Sequence, residues 1–175
     1  MKGICLVPFG TISTGFIVDL IDLLSLRFEW PVTVGPVKTL PDAAFDANRN
    51  QYLAGAFLEA LREIPGREGS KLLGVTEADI YGTGLSFVFG QAEVGGRVAV
   101  ISLARLLPAD ADGDGHELLS ERTLKEAVHE LGHTFGLDHC RDRFCVMHFS
   151  TGIEQTDIKM ADFCPRHAVE LTKET

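Results

Sequence analysis

Apolar and polar positions follow two periods along this chain. Ile4 to Val7 is a short apolar run closed by Pro8 and Gly10, the pattern of a buried strand. Phe16, Ile17, Leu20, Leu23, Leu24 and Phe28 then recur at three and four, which predicts an amphipathic helix with Ser13 or Thr14 as its N-cap. Pro31 to Val37, rich in Val and Pro, predicts a second, irregular strand, and 41–49 a polar connection. Leu53, Phe57, Leu61 and Ile64 form a helical stripe that stops at Pro65-Gly66. Leu72 to Val75 with Ile80 predict a third strand. Leu85 to Phe89 and Val98 to Leu103 predict two more, joined as a hairpin through Gly95-Gly96. A long helix is expected from Leu118 or Ser120 to Thr134, with Leu124, Val128, Leu131 and Phe135 as its apolar face and Gly136 as a left-handed cap. The remainder reads as loops and a short helix starting at Pro165. The expected fold class is therefore α/β (α+β): a mixed sheet with backing helices, followed by a small irregular C-terminal subdomain.

Composition narrows the picture. A chain of 175 residues with 45% hydrophobic and 23% charged positions is one ordinary globular domain, 1–175. A net charge of −9 argues against a nucleic-acid binder and against an anionic membrane surface as partner. No targeting segment is visible at the start, and the apolar stretch 16–24 is too short to span a bilayer, so a cytoplasmic protein is expected, with a monomer favoured. Asp110, Asp112 and Asp114 admit a calcium reading, but the loop-end Glu of an EF-hand is missing and a solvated loop is preferred.

The chemistry is crowded toward the C-terminus. His129, His133, His139, His148 and His167 lie there with Cys140, Cys145 and Cys164, leaving only His116 and Cys5 elsewhere. His129 and His133 are four apart on the expected helix, so both imidazoles leave one face and can reach one metal. Glu130 is offset by one residue and can reach a water on the open side of that metal. Gly136 permits a turn that returns His139 as a third ligand, and three neutral imidazoles plus a water make an open zinc site. A Met-turn at Met147 fits the extended His pattern. Cys140-x4-Cys145 and Cys164-x2-His167 are two short ligand pairs, as in closed structural zinc sites; free thiols or a disulfide are the alternatives. His148 reads as a surface residue or a neighbour of the site.

The string from His129 to Met147, HELGHTFGLDHC-x4-C-x-M, resembles the archaemetzincins, a branch of the metzincin peptidases. Looser likeness extends to 86–92 and 101–106. The resemblance implies a metzincin-like fold with an active-site helix, and peptidase chemistry on a peptide or protein substrate. It implies two zinc ions: a catalytic one on His129, His133 and His139 with Glu130 as general base, and a structural one on Cys140, Cys145 and Cys164. The family's last Cys is His167 here, so that ligand rests on spacing and chemistry. It divides the domain into 1–139, ending at the third catalytic ligand, and 140–175, with the Met-turn at Met147. It also implies an extended substrate beside the expected strand 85–89. No Tyr follows Tyr81 to serve as the oxyanion donor that some metzincins place after the Met-turn. A zinc-stabilised binding protein with little peptidase activity is the alternative, and a zinc-ribbon nucleic-acid binder a weaker one.

Overall fold

The computed structural model describes residues 2–66, 69–108 and 115–174. The acidic stretch 110–114, with its calcium reading, lies outside the described residues. In chain order the elements are β1 Gly3–Phe9, α1 Thr14–Phe28, β2 Val32–Val34, β3 Phe45–Asp46, β4 Gln51–Leu53, α2 Ala54–Arg62, β5 Ser70–Thr76, β6 Ile80–Tyr81, β7 Gly90–Ala92, β8 Val98–Ser102, α3 Gly115–Thr134, α4 Ile153–Ile158 and α5 Pro165–Glu174.

Five strands form the main sheet in the order β2-β1-β5-β8-β7. The first four are parallel, and β7 runs antiparallel to β8 as an edge strand. Alternation along each central strand divides two cores. Ile4, Leu6, Leu73, Val75, Ala99 and Ile101 face α1 and α3. Val7, Phe9, Leu72, Val98 and Val100 face α2, whose Phe57 and Leu61 cover them. A strand buried on both faces reads as a continuous apolar run, which is why β1, β5 and β8 were legible. Gly74 sits under α2 where a Cβ would come within 3.2 Å of Leu61, so it lets the helix approach the sheet.

The structure departs from the expected elements at several places. The segment 85–89 is not a strand; the edge strand is β7, three residues long and beginning at Gly90. Phe87 and Phe89 instead pack edge to face at 5.3 Å, while Val88 donates to the Ile80 carbonyl (3.0 Å). The expected strand 31–37 pairs only over Val32–Val34, because Pro31 and Pro36 cannot donate to a ladder. The connection 41–49 contains a short 3-10 turn, Asp42–Ala44, and β3, which joins β4 and β6 in a second small sheet that takes Ile80 away from β5. Finally α3 begins earlier, at Gly115, and α4 was not anticipated.

Candidate metal centres and catalytic cleft

α3 turns its apolar residues Ala127, Val128 and Leu131 into the core, while Glu126, His129, Glu130 and His133 occupy the opposite side at helical spacing. The helix ends in a Schellman cap. Gly136 (φ 83°) donates to the His133 carbonyl (2.9 Å) and Leu137 to the Gly132 carbonyl (3.1 Å). This cap also builds the site, because the Leu137 carbonyl accepts from His133 Nδ1 at 2.8 Å. The Val146 carbonyl accepts from His129 Nδ1 at 2.8 Å. A carbonyl can only accept, so both Nδ1 atoms carry the proton and both Nε2 atoms keep a lone pair.

Those lone pairs converge. His133 Nε2 lies 3.2 Å from His129 Nε2 and 3.2 Å from His139 Nε2. A tetrahedral zinc with bonds of about 2.0–2.1 Å sets ligand nitrogens about 3.3–3.4 Å apart, so the three imidazoles fit that ion. Burial holds all three imidazoles below the usual His range, His129 most strongly, and the Lys159 ammonium reinforces this at His129 and His139. Neutral imidazoles are the form that ligates. Met147 is fully buried, and its sulfur packs against Gly132, where any side chain would collide with it. The necessity of Gly132 inside the His motif was not read from the sequence.

Glu130 is buried beside His129 and lines the same cavity. It presses on the edge strand: a Cβ at Gly90 would lie 2.7 Å from Glu130 Oε1. Burial first, and the Glu126 carboxylate second, push the Glu130 carboxyl well above the usual range, against the pull of Lys159. The segment 85–89, expected as a strand beside the substrate, is instead a loop wall of this cavity. Arg49 holds that wall, its Nη2 donating to the carbonyls of Leu85 (2.7 Å) and Ser86 (2.9 Å). Tyr81 lies in β6 beneath the Arg49 guanidinium (4.2 Å to the ring centre), and Phe149 packs on the His139 ring at 4.9 Å.

The second cluster adjoins the first in sequence at His139-Cys140. Cys140 Sγ and Cys164 Sγ are 3.8 Å apart, and His167 Nδ1 stands 3.4 Å from Cys145 Sγ and 3.5 Å from Cys164 Sγ. Tetrahedral zinc with bonds of about 2.3 Å to sulfur predicts about 3.8 Å between sulfurs and a few tenths less to nitrogen, so this set fits a closed site. His167 is completely buried and is grouped with the three thiols. The Cys140 N–H donates to the Met147 carbonyl (2.8 Å), so the turn that gathers the cysteines also seats the buried Met. Burial pushes the Cys145 thiol up to about 11. Burial acts the same way on Cys164, but the His167 N–H and neighbouring thiols outweigh it and hold that thiol below its ordinary value. Arg166 Nη2 is 2.7 Å from His167 Nε2. A metal on Nδ1 leaves the proton on Nε2, so Arg166 then has to turn to Glu170, already 3.7 Å from its Nη1. His148 donates from Nδ1 to the Cys140 carbonyl (3.0 Å), which ties it to the backbone at the start of the second cluster. Cys5 is half-buried at the edge of the α2-side core.

α4 is strapped to α3 by polar contacts that the sequence did not advertise. Arg122 forks onto Asp157 at 2.7 Å and 2.7 Å and reaches the Leu106 carbonyl (3.0 Å). Lys159 and Thr156 both engage Glu126 Oε1 at 2.9 Å. A signal existed: Arg122, Glu126 and Glu130 fall at four-residue spacing with His129 on one side of a helix whose other side is core.

Comparison with known proteins agrees with this geometry. The family model described as peptidase family M54 matches residues 19–173. Archaemetzincin of Methanopyrus kandleri is 47% identical over 171 residues, covering 93% of this chain and 91% of that protein. The archaemetzincin of Thermococcus kodakarensis is 41% identical over 172 residues (94% and 92%). The crystal structure of the Methanopyrus kandleri protein superposes with a TM-score of 0.86 at 43% identity, covering 99% of this chain and 94% of that one. The Archaeoglobus fulgidus archaemetzincin superposes with a TM-score of 0.84 at 39% identity (97% and 99%). Among the described residues no helix is long and apolar enough to cross a membrane. The chain belongs to peptidase family M54, with archaemetzincins as its relatives, and is a zinc metallopeptidase.

Proposed function

We propose that His129, His133 and His139 hold the catalytic zinc, that Glu130 is the general base, and that Cys140, Cys145, Cys164 and His167 hold a second, structural zinc. The observation that carries the first half is the convergence of three Nε2 lone pairs, two of them on rings oriented by backbone carbonyls, with the buried Glu130 lining one cavity together with His129. A zinc ion held there supplies Lewis acidity, which polarises a scissile carbonyl and makes an attacking water more acidic. Glu130 takes the water's proton on its carboxylate and delivers it to the leaving amine. Its raised proton affinity suits the first transfer, and its burial excludes competing solvent. β7, with its outer edge unpaired in the sheet order, is the strand beside which an extended peptide would lie. With no Tyr after Tyr81, oxyanion stabilisation falls to the metal, to backbone N–H groups or to another side chain.

The domain then divides by role, 1–139 ending at the third imidazole and 140–175 carrying the Met147 turn and the structural metal. Replacing Glu130 by Gln tests the assignment. Turnover of a peptide library should fall by about 10²–10⁴-fold while zinc content stays unchanged. Undiminished turnover would remove Glu130 from the mechanism, and cleavage absent from the wild type would favour a binding role instead.

A further inference from the structure

The cavity beside Glu130 has a volume of about 140 Å3 and is lined by a second carboxylate. Glu126, one helical turn before Glu130, lines it while being only 3% exposed. Behind it lies Lys159, fully buried, with Nζ 2.9 Å from Glu126 Oε1 and 3.5 Å from the His148 carbonyl. Thr156 Oγ1 donates to the same Glu126 oxygen at 2.9 Å. An ionised carboxylate does not persist in such a place without a partner, and neither does an ammonium; here each balances the other. The walls are apolar: Phe87 and Phe89 on one side, with Leu85 and Phe149 partly exposed at the mouth. Ser150 Oγ, also at this cavity, is buried and has no hydrogen-bond partner among the described residues.

A side chain entering here leaves water for hydrocarbon walls and meets a floor with hydrogen-bonding groups but no net charge. A neutral side chain gains by that transfer. A charged one gives up its hydration, while of the two carboxyl groups lining the cavity Glu126 is already paired with Lys159 and Glu130 is engaged with the reacting water. We propose that the Glu126–Lys159 pair is a specificity determinant: it forms the charge-neutral floor of a pocket that takes one uncharged, largely apolar side chain next to the scissile bond.

The proposal rests on His129, His133, His139 and Glu130 being the reacting centre, but its test does not need turnover. Zinc-loaded Glu130→Gln protein is titrated with fluorescent peptides identical except at the two positions flanking the expected cleavage point, each made Leu, Phe, Lys or Asp in turn. At one of these positions Leu and Phe should bind about tenfold or more tighter than Lys and Asp. Adding Lys159→Met leaves the floor negative and should shift the preference at that position toward Lys by about tenfold. Adding Glu126→Gln leaves it positive and should shift the preference toward Asp. The variant with both changes restores a neutral floor and the preference for Leu and Phe.

Equal binding of charged and neutral side chains at both positions overturns the proposal, whether or not the single variants fold. So does a shift of the same sign in Lys159→Met and Glu126→Gln. Peptides that bind in the expected order while the wild type cleaves none of them would refute the role of Glu130 and leave the pocket standing. Cleavage by the wild type with flat binding preferences would do the reverse.

Discussion

Gly132 is the point where helix propensity and site construction oppose each other. In the middle of α3, replacing Gly by Ala should gain up to about 1 kcal/mol from propensity alone. The added Cβ, however, falls on Met147 Sδ, well inside contact distance, and lies 3.2 Å from Met147 Cε and from Phe163 Cε1. Met147 has no exposed surface into which to retreat. Overpacking of this kind costs about 1–3 kcal/mol, and a collision this close belongs at the upper end, so after the propensity gain Gly132→Ala should lose about 1–2 kcal/mol. Met147→Ala alone leaves a cavity and should lose about 2–5 kcal/mol. In the double variant the new methyl group fills part of that cavity, so the loss should be smaller than the sum by about 1–3 kcal/mol. Urea unfolding of the zinc-loaded proteins, followed by circular dichroism, measures all four corners. The effect reaches the metal too, because Met147 adjoins Val146, whose carbonyl orients His129. Zinc affinity in Gly132→Ala should therefore fall by about 10–100-fold. A Gly132→Ala protein as stable as the wild type, with an additive double variant, would refute the reasoning.

Two further predictions concern protons. In metal-free protein, burial depresses the His129 pKa below 6.5, so the unfolded state takes up a proton that the folded state refuses. Folding stability should then fall by about 1.4 kcal/mol per pH unit as pH drops from 6.5 toward the depressed value. Glu130, whose pKa is raised above 4.5, acts with the opposite sign: its folded form holds a proton longer, which favours the folded state as pH falls. Metal-free Glu130→Gln should therefore lose stability more steeply between pH 6.5 and 4.5 than the wild type, and parallel denaturation profiles would contradict this. At the second site, a Cys145 thiol pushed up to about 11 is protonated at neutral pH, so zinc uptake must release its proton, which calorimetry in buffers of different ionisation enthalpy would register. Strong chelation should correspondingly loosen 140–174, seen as lost hydrogen-exchange protection there while β1, β5 and β8 stay protected; unchanged protection after zinc removal would argue against a structural metal.

The elements legible in the sequence were those with a single dominant signal. β1, β5 and β8 are apolar runs buried on both faces, and α1, α2 and α3 each present one apolar stripe. The His and Cys positions could be grouped because metal ligation demands fixed spacings, and the structure brings both groups together. What escaped depends on long-range polar contact. Leu85 to Phe89 has the apolar character of a strand, yet its backbone is held by Arg49, 36 residues away, and its rings pack as a cavity wall. α4 is a short helix with only Thr156 buried, held by Arg122, Glu126 and Lys159 and not by an apolar stripe, so periodicity had nothing to detect. Nothing local in the sequence marks Lys159 as the partner of Glu126, 33 residues earlier.

The proposed function requires two zinc sites built from distinct residues, an open one on three imidazoles and a closed one on three thiolates and His167. Elemental analysis of wild-type and His133→Ala protein, purified without chelators, tests it most directly. Two zinc ions per chain are expected in the wild type and one in the variant, with 140–174 still folded. A single zinc in the wild type, or an unchanged count after the loss of His133, would contradict it.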